Sequence, residues 1–376
     1  MRTPLEMSAL SSFLESPDSG RALLLRIEHL AQRLSAPVTI MEVCGTHTHS
    51  IASAGLRRLM PANVRLVSGP GCPVCVTPIA WVDHAMALAA RQDVILATFG
   101  DMMRVPASQG SLEQARADGA DIRICYSTRD ALEIARQYPR KKVVFLAVGF
   151  ETTAPTIAAA LQQAEGEGLH NFLILVGHKM MPEPLAALID DPEVRLDGLL
   201  CPGHVSVIIG SNAYQPIADA GLPCAVVGFA PNDVLAGVAE LLAQLLEQRA
   251  EVANLYGRVV SPSGNPAALA LLEKFFTPVD VEWRGLGIIP RSGLELRAQF
   301  KHRDASLLEV SLPPLREPKG CRCGEILRGT ILPPDCPLFG KGCDPERAIG
   351  ACMVSSEGTC AAWYRHERLA LCSAEE

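Results

Sequence analysis

Cys72 and Cys75 stand three residues apart in Gly69-Pro-Gly-Cys-Pro-Val-Cys75, directly after the apolar run Val64–Val67. Two thiols at this spacing can close a small disulfide ring, share a metal or exchange with another thiol. Gly69, Pro70 and Gly71 set a tight turn ahead of Cys72, and Pro73 removes a backbone donor beside it. A second thiol opens Cys44-Gly-Thr-His-Thr-His49, with His47 and His49 three and five residues beyond Cys44. A third group is dense: Cys321, Cys323, Cys336, Cys343, Cys352 and Cys360 fall within one stretch of prolines and glycines.

That stretch has few apolar residues and would hardly fold without a crosslink or a metal. Four thiolates can hold zinc or an iron–sulfur cluster. The span lacks the paired C-x-x-C loops of typical zinc ribbons and contains no histidine, so a cluster is favoured over zinc. Cys321 and Cys323 are one residue apart and would crowd a single cluster. The expected quartet is therefore Cys323, Cys336, Cys343 and Cys360, with Cys321 and Cys352 spare and Cys372 incidental.

Hydrophobic residues make up 48% of the 376-residue chain and charged residues 20%, enough apolar material for two or three cores. A net charge of −7 argues against a nucleic-acid surface. No apolar run reaches transmembrane length, and the first residues lack a signal-peptide core, so a cytoplasmic location is expected. Thirteen cysteines in a reducing compartment point to metal or redox chemistry and not to a disulfide framework.

The elements that must position these thiols are readable. Short apolar runs at Pro37–Val43, Val64–Val67, Asp93–Ala97, Lys142–Val148, Phe172–Val176, Gly198–Leu200 and Cys224–Val227 alternate with helical patterns. A helix is expected over Ser19–Leu34, another from near Ile51, and a long one ending near Gln248. Such alternation predicts an α/β fold with parallel sheets covered on both faces. Loops after parallel strands gather on one edge, where ligands bind, and the thiol-bearing and glycine-rich residues fall on those loops. Beyond Pro262 the segments become short and Gly/Pro-broken. No G-x-x-x-x-G-K-[ST] or G-x-G-x-x-G follows any strand, so nucleotide binding has little support.

Taken together, Cys44-Gly-Thr-His-Thr-His, Gly69-Pro-Gly-Cys-Pro-Val-Cys, Phe99-Gly-Asp-Met-Met-Arg-Val-Pro, Gly149-Phe-Glu-Thr-Thr-Ala-Pro and Cys352-Met-Val-Ser-Ser-Glu-Gly-Thr-Cys-Ala-Ala-Trp resemble the HypD family of hydrogenase maturation factors. The resemblance runs from about residue 38 to residue 366. It implies a scaffold for building the Fe(CN)2CO group of [NiFe]-hydrogenases, in complex with a small HypC-type chaperone that carries an N-terminal cysteine. Iron would sit between that cysteine and Cys44, and a HypE-type partner would deliver cyanide as a thiocyanate-like group. It also implies a [4Fe–4S] cluster in the C-terminal part beside two Rossmann-like lobes. The expected division is a first lobe over 1–145, a second over 146–260 and a smaller iron–sulfur domain over 261–376.

Within that frame Cys44 is the expected iron ligand, its thiolate favoured if a helix starts close behind it. His47, more than His49, could hydrogen-bond iron-bound cyanide or move a proton. Cys72 and Cys75 would store two electrons between cluster and iron. Glu357 could act as an acid or base at the assembly site. Asp101 and Arg104 are expected to pair locally, and Glu151 and Thr152 to open a helix. His204 could orient a loop or serve the site, and His178 is expected to be structural. The competing class is an iron–sulfur disulfide reductase acting on a partner protein.

Overall fold

The computed structural model describes residues 16–368; Cys372 and the first fifteen residues lie outside them. Nine parallel strands form two sheets. They are β1 (Val38–Glu42), β2 (Val64–Ser68), β3 (Val94–Thr98), β4 (Ile122–Ile124), β5 (Lys142–Gly149), β6 (Phe172–His178), β7 (Gly198–Cys201), β8 (Cys224–Val226) and β9 (Val252–Asn254). The first sheet runs β2-β1-β7-β8-β9 and the second β4-β3-β5-β6. This is the expected α/β, Rossmann-like architecture, and each apolar run read from the sequence lies in one of these strands. β4 and β9, three residues each and only partly buried, carry no continuous apolar run.

Both sheets are buried on both faces, and consecutive residues serve different cores. Met41, Val67, Leu199 and Val226 of the first sheet share one core with Leu96, Val144, Leu146 and Leu175 of the second. Their neighbours point outward. Ile40, Leu66 and Leu200 meet helices Pro17–Ala31 and Pro231–Leu246. Phe145, Ile174 and Ile95 meet helices Thr128–Gln137, Ala154–Glu167 and Pro266–Phe275. The two inner faces therefore close on each other. That is why the strands read as unbroken apolar runs.

The chain does not divide where the sequence suggested. β1 pairs with β2 on one side and with β7 on the other, through Val38↔Val64 and Ile40↔Gly198. The first lobe is thus discontinuous, and the whole second sheet is inserted between β2 and β7. The 145/146 boundary falls inside β5. Apolar periodicity reports that a strand is buried, not which strand lies beside it.

The expected C-terminal domain also separates into parts. An antiparallel hairpin, β10 (Phe276–Trp283) and β11 (Gly287–Leu296), lies against the second sheet, with Met180 N–H donating to Ser292 O at 2.8 Å. The cysteine-rich segment turns back to the first lobe instead. Its final helix, Thr359–His366, packs on helix Gly45–Ser53.

Arg57 fastens that return. Its guanidinium pairs with Glu367 at 2.5 Å, donates to Ser68 Oγ at 3.0 Å and lies 5.3 Å from the Trp363 ring. Arg57 and Glu367 are nearly buried, and breaking a buried pair leaves an uncompensated charge. Arg57→Met should lower the unfolding free energy by about 3–5 kcal/mol in urea denaturation, and the region around Trp363 should lose protection first in hydrogen exchange.

Candidate functional site

In each sheet the chain builds outward in both directions from one gap, between β1 and β7 in the first and between β3 and β5 in the second. Loops at such a switch point diverge and leave a crevice at the carboxyl edge of the sheet. Here the two crevices face each other across one cleft. Cys44 and Thr46 after β1, His204 after β7, Asp101 after β3 and Thr152 after β5 all line it. Glu357 comes to it from the cysteine-rich segment.

Cys44 caps helix Gly45–Ser53, so the helix begins six residues earlier than the sequence pattern suggests. Helical periodicity shows only from Ile51 because the first turn carries Gly, Thr and His in place of apolar residues. Gly45 N–H donates to Gly71 O at 3.0 Å. A Cβ on Gly71 would overlap the Cys44 backbone nitrogen, so only glycine allows the two loops to meet this closely. The Gly-Pro-Gly turn ahead of Cys72 thus presses on the Cys44 loop itself.

Burial pushes the Cys44 thiol up to about 12. The backbone N–H groups of His47 and Thr46 oppose that shift, while the carboxylates of Glu357 and Glu42 add to it. The helix start favours the thiolate through those N–H groups, but desolvation outweighs it. A bound cation would remove the proton.

Glu42, unremarked in the sequence, positions Cys44. Its Oε2 accepts from Cys44 N–H at 3.1 Å and its Oε1 from Thr48 Oγ1 at 2.6 Å. Burial raises its carboxyl to about 7. The signal was a lone carboxylate inside the buried run Val38–Val43. Glu151 is similar: its Oε1 accepts from Met181 N–H at 2.9 Å, Oε2 is buried without a partner, and burial raises it to about 7. It precedes helix Ala154–Glu167 and does not open it.

The histidines divide differently from expectation. His47 is fully buried with Nε2 2.8 Å from Gly228 O, and burial lowers it to about 4. Its ring lies 5.0 Å from Phe229, and it does not line the cleft. His49 is exposed, edge-on to His366. His204 is the histidine that lines the cleft, stacked on Phe229 with centroids 3.9 Å apart. His178 is buried against Phe276, as a structural residue would be.

Glu357 lines the cleft with Cys44, and Thr46 Oγ1 donates to its Oε1 at 2.9 Å. Asp101 and Arg104 do not pair with each other; both reach the cysteine-rich segment. Asp101 Oδ2 accepts from Ser355 Oγ at 3.2 Å, and Arg104 Nη1 donates to Pro345 O at 3.1 Å. Their loop docks that segment against the cleft.

Cys72 and Cys75 are joined by a disulfide, buried, with Cα atoms 5.3 Å apart. Neither lines the cleft. Gly71, Pro73 and Val74 around them do line it, while Cys75 Sγ lies 4.0 Å from Ala351 O, next to Cys352.

All six tail cysteines line one pocket. Cys336 and Cys343 flank a tight loop closed by Phe339 N–H to Cys336 O at 3.0 Å and Cys343 N–H to Leu338 O at 2.9 Å. Cys360 enters on the first turn of helix Thr359–His366, and Cys323 on the first residue of helix Cys323–Leu327. Burial pushes the Cys360 thiol well up, and Cys323, Cys321, Cys343 and Cys336 add to this, so those sulfurs crowd one space. Among the described residues no three His, Cys, Asp or Glu side chains converge to hold a single metal ion. The thiols surround a common space instead, and this donor set fits an iron–sulfur cluster. Cys323 and Cys352, however, are engaged with each other, their Sγ atoms 2.7 Å apart.

Comparison with known proteins follows the same residues. The HypD family model, described as "Hydrogenase formation hypA family", matches residues 19–367. The chain is 47% identical over 367 residues to hydrogenase maturation factor HypD of Rhodobacter capsulatus, covering 95% of this chain and 97% of that protein. It is 46% identical over 366 residues to hydrogenase maturation factor HypD of Escherichia coli K12, covering 95% and 98%. It is 45% identical over 359 residues to the protein of that name from Cupriavidus necator, covering 90% and 95%.

The two buried carboxyls yield a pH signature. A carboxyl raised from 4.5 to about 7 keeps its proton in the folded state while the unfolded state has released it. Its contribution is therefore full below pH 4.5 and is lost as pH rises to 7. His47 and His178 carry the opposite sign at lower pH, so the comparison must be with a variant. Between pH 5 and pH 8, Glu42→Gln should gain stability relative to the unsubstituted protein, on the order of 3 kcal/mol in urea denaturation.

Proposed function

The chain belongs to the HypD family of hydrogenase maturation factors, and from that premise we propose that it scaffolds assembly of the Fe(CN)2CO group at Cys44. The observation that carries this reading is the placement of the Cys44 thiol. It lies in a cleft where two sheet switch points meet, and its loop touches the Cys-x-x-C turn.

Iron is the cargo. Cys44 would hold it as thiolate, a soft donor suited to low-spin iron, while a HypC-type chaperone supplies a second thiolate from the open side of the cleft. Glu357 is positioned to take the Cys44 proton. His204 and Thr46 offer hydrogen bonds to cyanide nitrogen, the role expected of His47 from the sequence. A HypE-type partner would present cyanide on sulfur. Releasing it as an anion takes an electron pair, which the reduced Cys72/Cys75 dithiol provides by closing to the disulfide and losing two protons.

A [4Fe–4S] cluster, when bound in the thiol-lined pocket, would supply single electrons to restore the dithiol. Cys336, Cys343 and Cys360 remain in the ligand set. Cys323 is the fourth expected ligand, and Cys321 and Cys352 line the same pocket beside it. No described helix is long and apolar enough to cross a membrane, in keeping with action in the cytoplasm on a hydrogenase precursor. A free-standing disulfide reductase has no use for a second thiol loop, and Cys44 lines the cleft on just such a loop, so the scaffold reading fits better.

Infrared spectroscopy of the protein co-purified with its small partner tests the scaffold. Iron-bound cyanide and carbonyl bands should appear and be absent from Cys44→Ala; bands that persist in that variant would show iron is held elsewhere. The Cys72→Ala/Cys75→Ala double variant should bind the partner yet lose more than about nine-tenths of the cyanide bands, since no local electron pair remains. Normal loading in that variant would rule out the relay.

A further inference from the structure

The tip of the β10–β11 hairpin enters the junction between the Cys72–Cys75 disulfide and the thiol-lined pocket. Arg284 N–H donates to Val76 O at 2.9 Å, directly after the Cys-x-x-C turn. Gly285, at φ +79°, lies against Gly324 so closely that a Cβ on it would overlap the Gly324 backbone. Gly324 follows Cys323, so two glycines let the hairpin touch the thiol-bearing helix. Trp283, fully buried, anchors the hairpin from within through Nε1–H to Ser292 Oγ at 2.7 Å.

This construction buries a guanidinium. Arg284 is 6% exposed, and both Nη atoms are buried without a hydrogen-bond partner. Among the described residues no carboxylate pairs with it within 4.0 Å, although Arg57 and Arg258, also largely buried, have Glu367 and Asp233. A buried cation is retained only where something balances it. The hairpin tip that carries it lies against the helix opened by Cys323, which forms one wall of the thiol-lined pocket.

We propose that Arg284 is the built-in counter-charge of the thiol-lined pocket, a positioning residue that balances negative charge there and favours electron uptake by the group it holds. The inference rests on the cluster reading above. Reduction adds one negative charge inside a pocket of low dielectric, and a fixed cation beside it stabilises the reduced state over the oxidised one. Arginine suits the task because it stays charged when buried. Its place between the pocket and Cys75 puts that charge on the path by which electrons would reach the disulfide.

The test is an EPR-monitored potentiometric titration of the anaerobically purified full-length protein, beside Arg284→Met and Arg284→Lys, with iron and sulfide analysed in each. Arg284→Met should shift the midpoint to a more negative potential, while Arg284→Lys, which keeps the charge, should stay near the unsubstituted protein. An unchanged midpoint in Arg284→Met overturns the inference and leaves the cluster reading standing. Loss of iron and sulfide from Arg284→Met with retention in Arg284→Lys supports a requirement for charge. Loss from both, with a matching drop in melting temperature, overturns it in favour of a packing role. An unsubstituted protein without iron and sulfide would overturn the cluster reading, and the inference with it.

Discussion

The hydrogen bond from Gly45 N–H to Gly71 O is a small interaction on which the rest of the site depends. It joins the loops after two neighbouring parallel strands, β1 and β2, at their carboxyl ends. Because β1 and β2 are in register, both loops leave the sheet at the same height, and glycine at 71 lets their backbones touch. One loop carries Cys44 into the cleft. The other lines the same cleft through Gly71, Pro73 and Val74 and carries Cys72 and Cys75, which do not line it. The contact therefore sets two thiol chemistries back to back on one sheet edge, separated by a few backbone atoms.

The electrostatics of the cleft show a site short of positive charge. Glu42, Glu151 and Cys44 are all raised by burial, and so are the thiols of the second pocket. A core built for stability alone would avoid so many ionisable groups that pay desolvation, which the hydrogen bonds to Glu42 and Glu151 offset only in part. On the proposed function a cation at Cys44 would offset more of it, because the field that disfavours the anion is the field that binds the metal. On the proposed function the energy spent holding these groups in place is returned when iron binds. Arg284 is the counterpart on the other side, a cation buried in the hairpin tip that rests on the Cys323 helix.

Much of this was legible in the residues. Unbroken apolar runs gave every parallel strand of four residues or more, and the strand–loop pattern placed the thiols on one edge, because a parallel strand buried on both faces writes its environment directly into its composition. The pairing of β1 with β7 was not legible, since it is made by residues 158 positions apart, such as Thr39 and Asp197, and no local pattern records it. The hairpin was hidden because most of its residues lie at or near the surface and Pro278 interrupts it, so neither alternation nor a continuous run appears. Side-chain direction was equally out of reach. His47 and His204 both follow strands, yet one turns to the Gly228 carbonyl and the other to the cleft, a choice made by Phe229 packing against both rings.

The cysteine-rich segment explains why the cleft needs a third part. Two facing switch points supply walls and one thiol, but both lobes share a single continuous core and have no freedom to bring further chemistry inward. The segment supplies it from outside. Asp101 and Arg104 of the second lobe and Arg57 of the first hold it from both sides, so Glu357 reaches Cys44 while Ala351 and Cys352 reach Cys75. A single stretch of about ten residues, from Ala351 to Cys360, thereby touches the cleft, the disulfide and the thiol pocket. Any displacement of that stretch alters all three together. The coupling between electron supply and iron assembly then needs no large motion, because the parts already share one short piece of backbone.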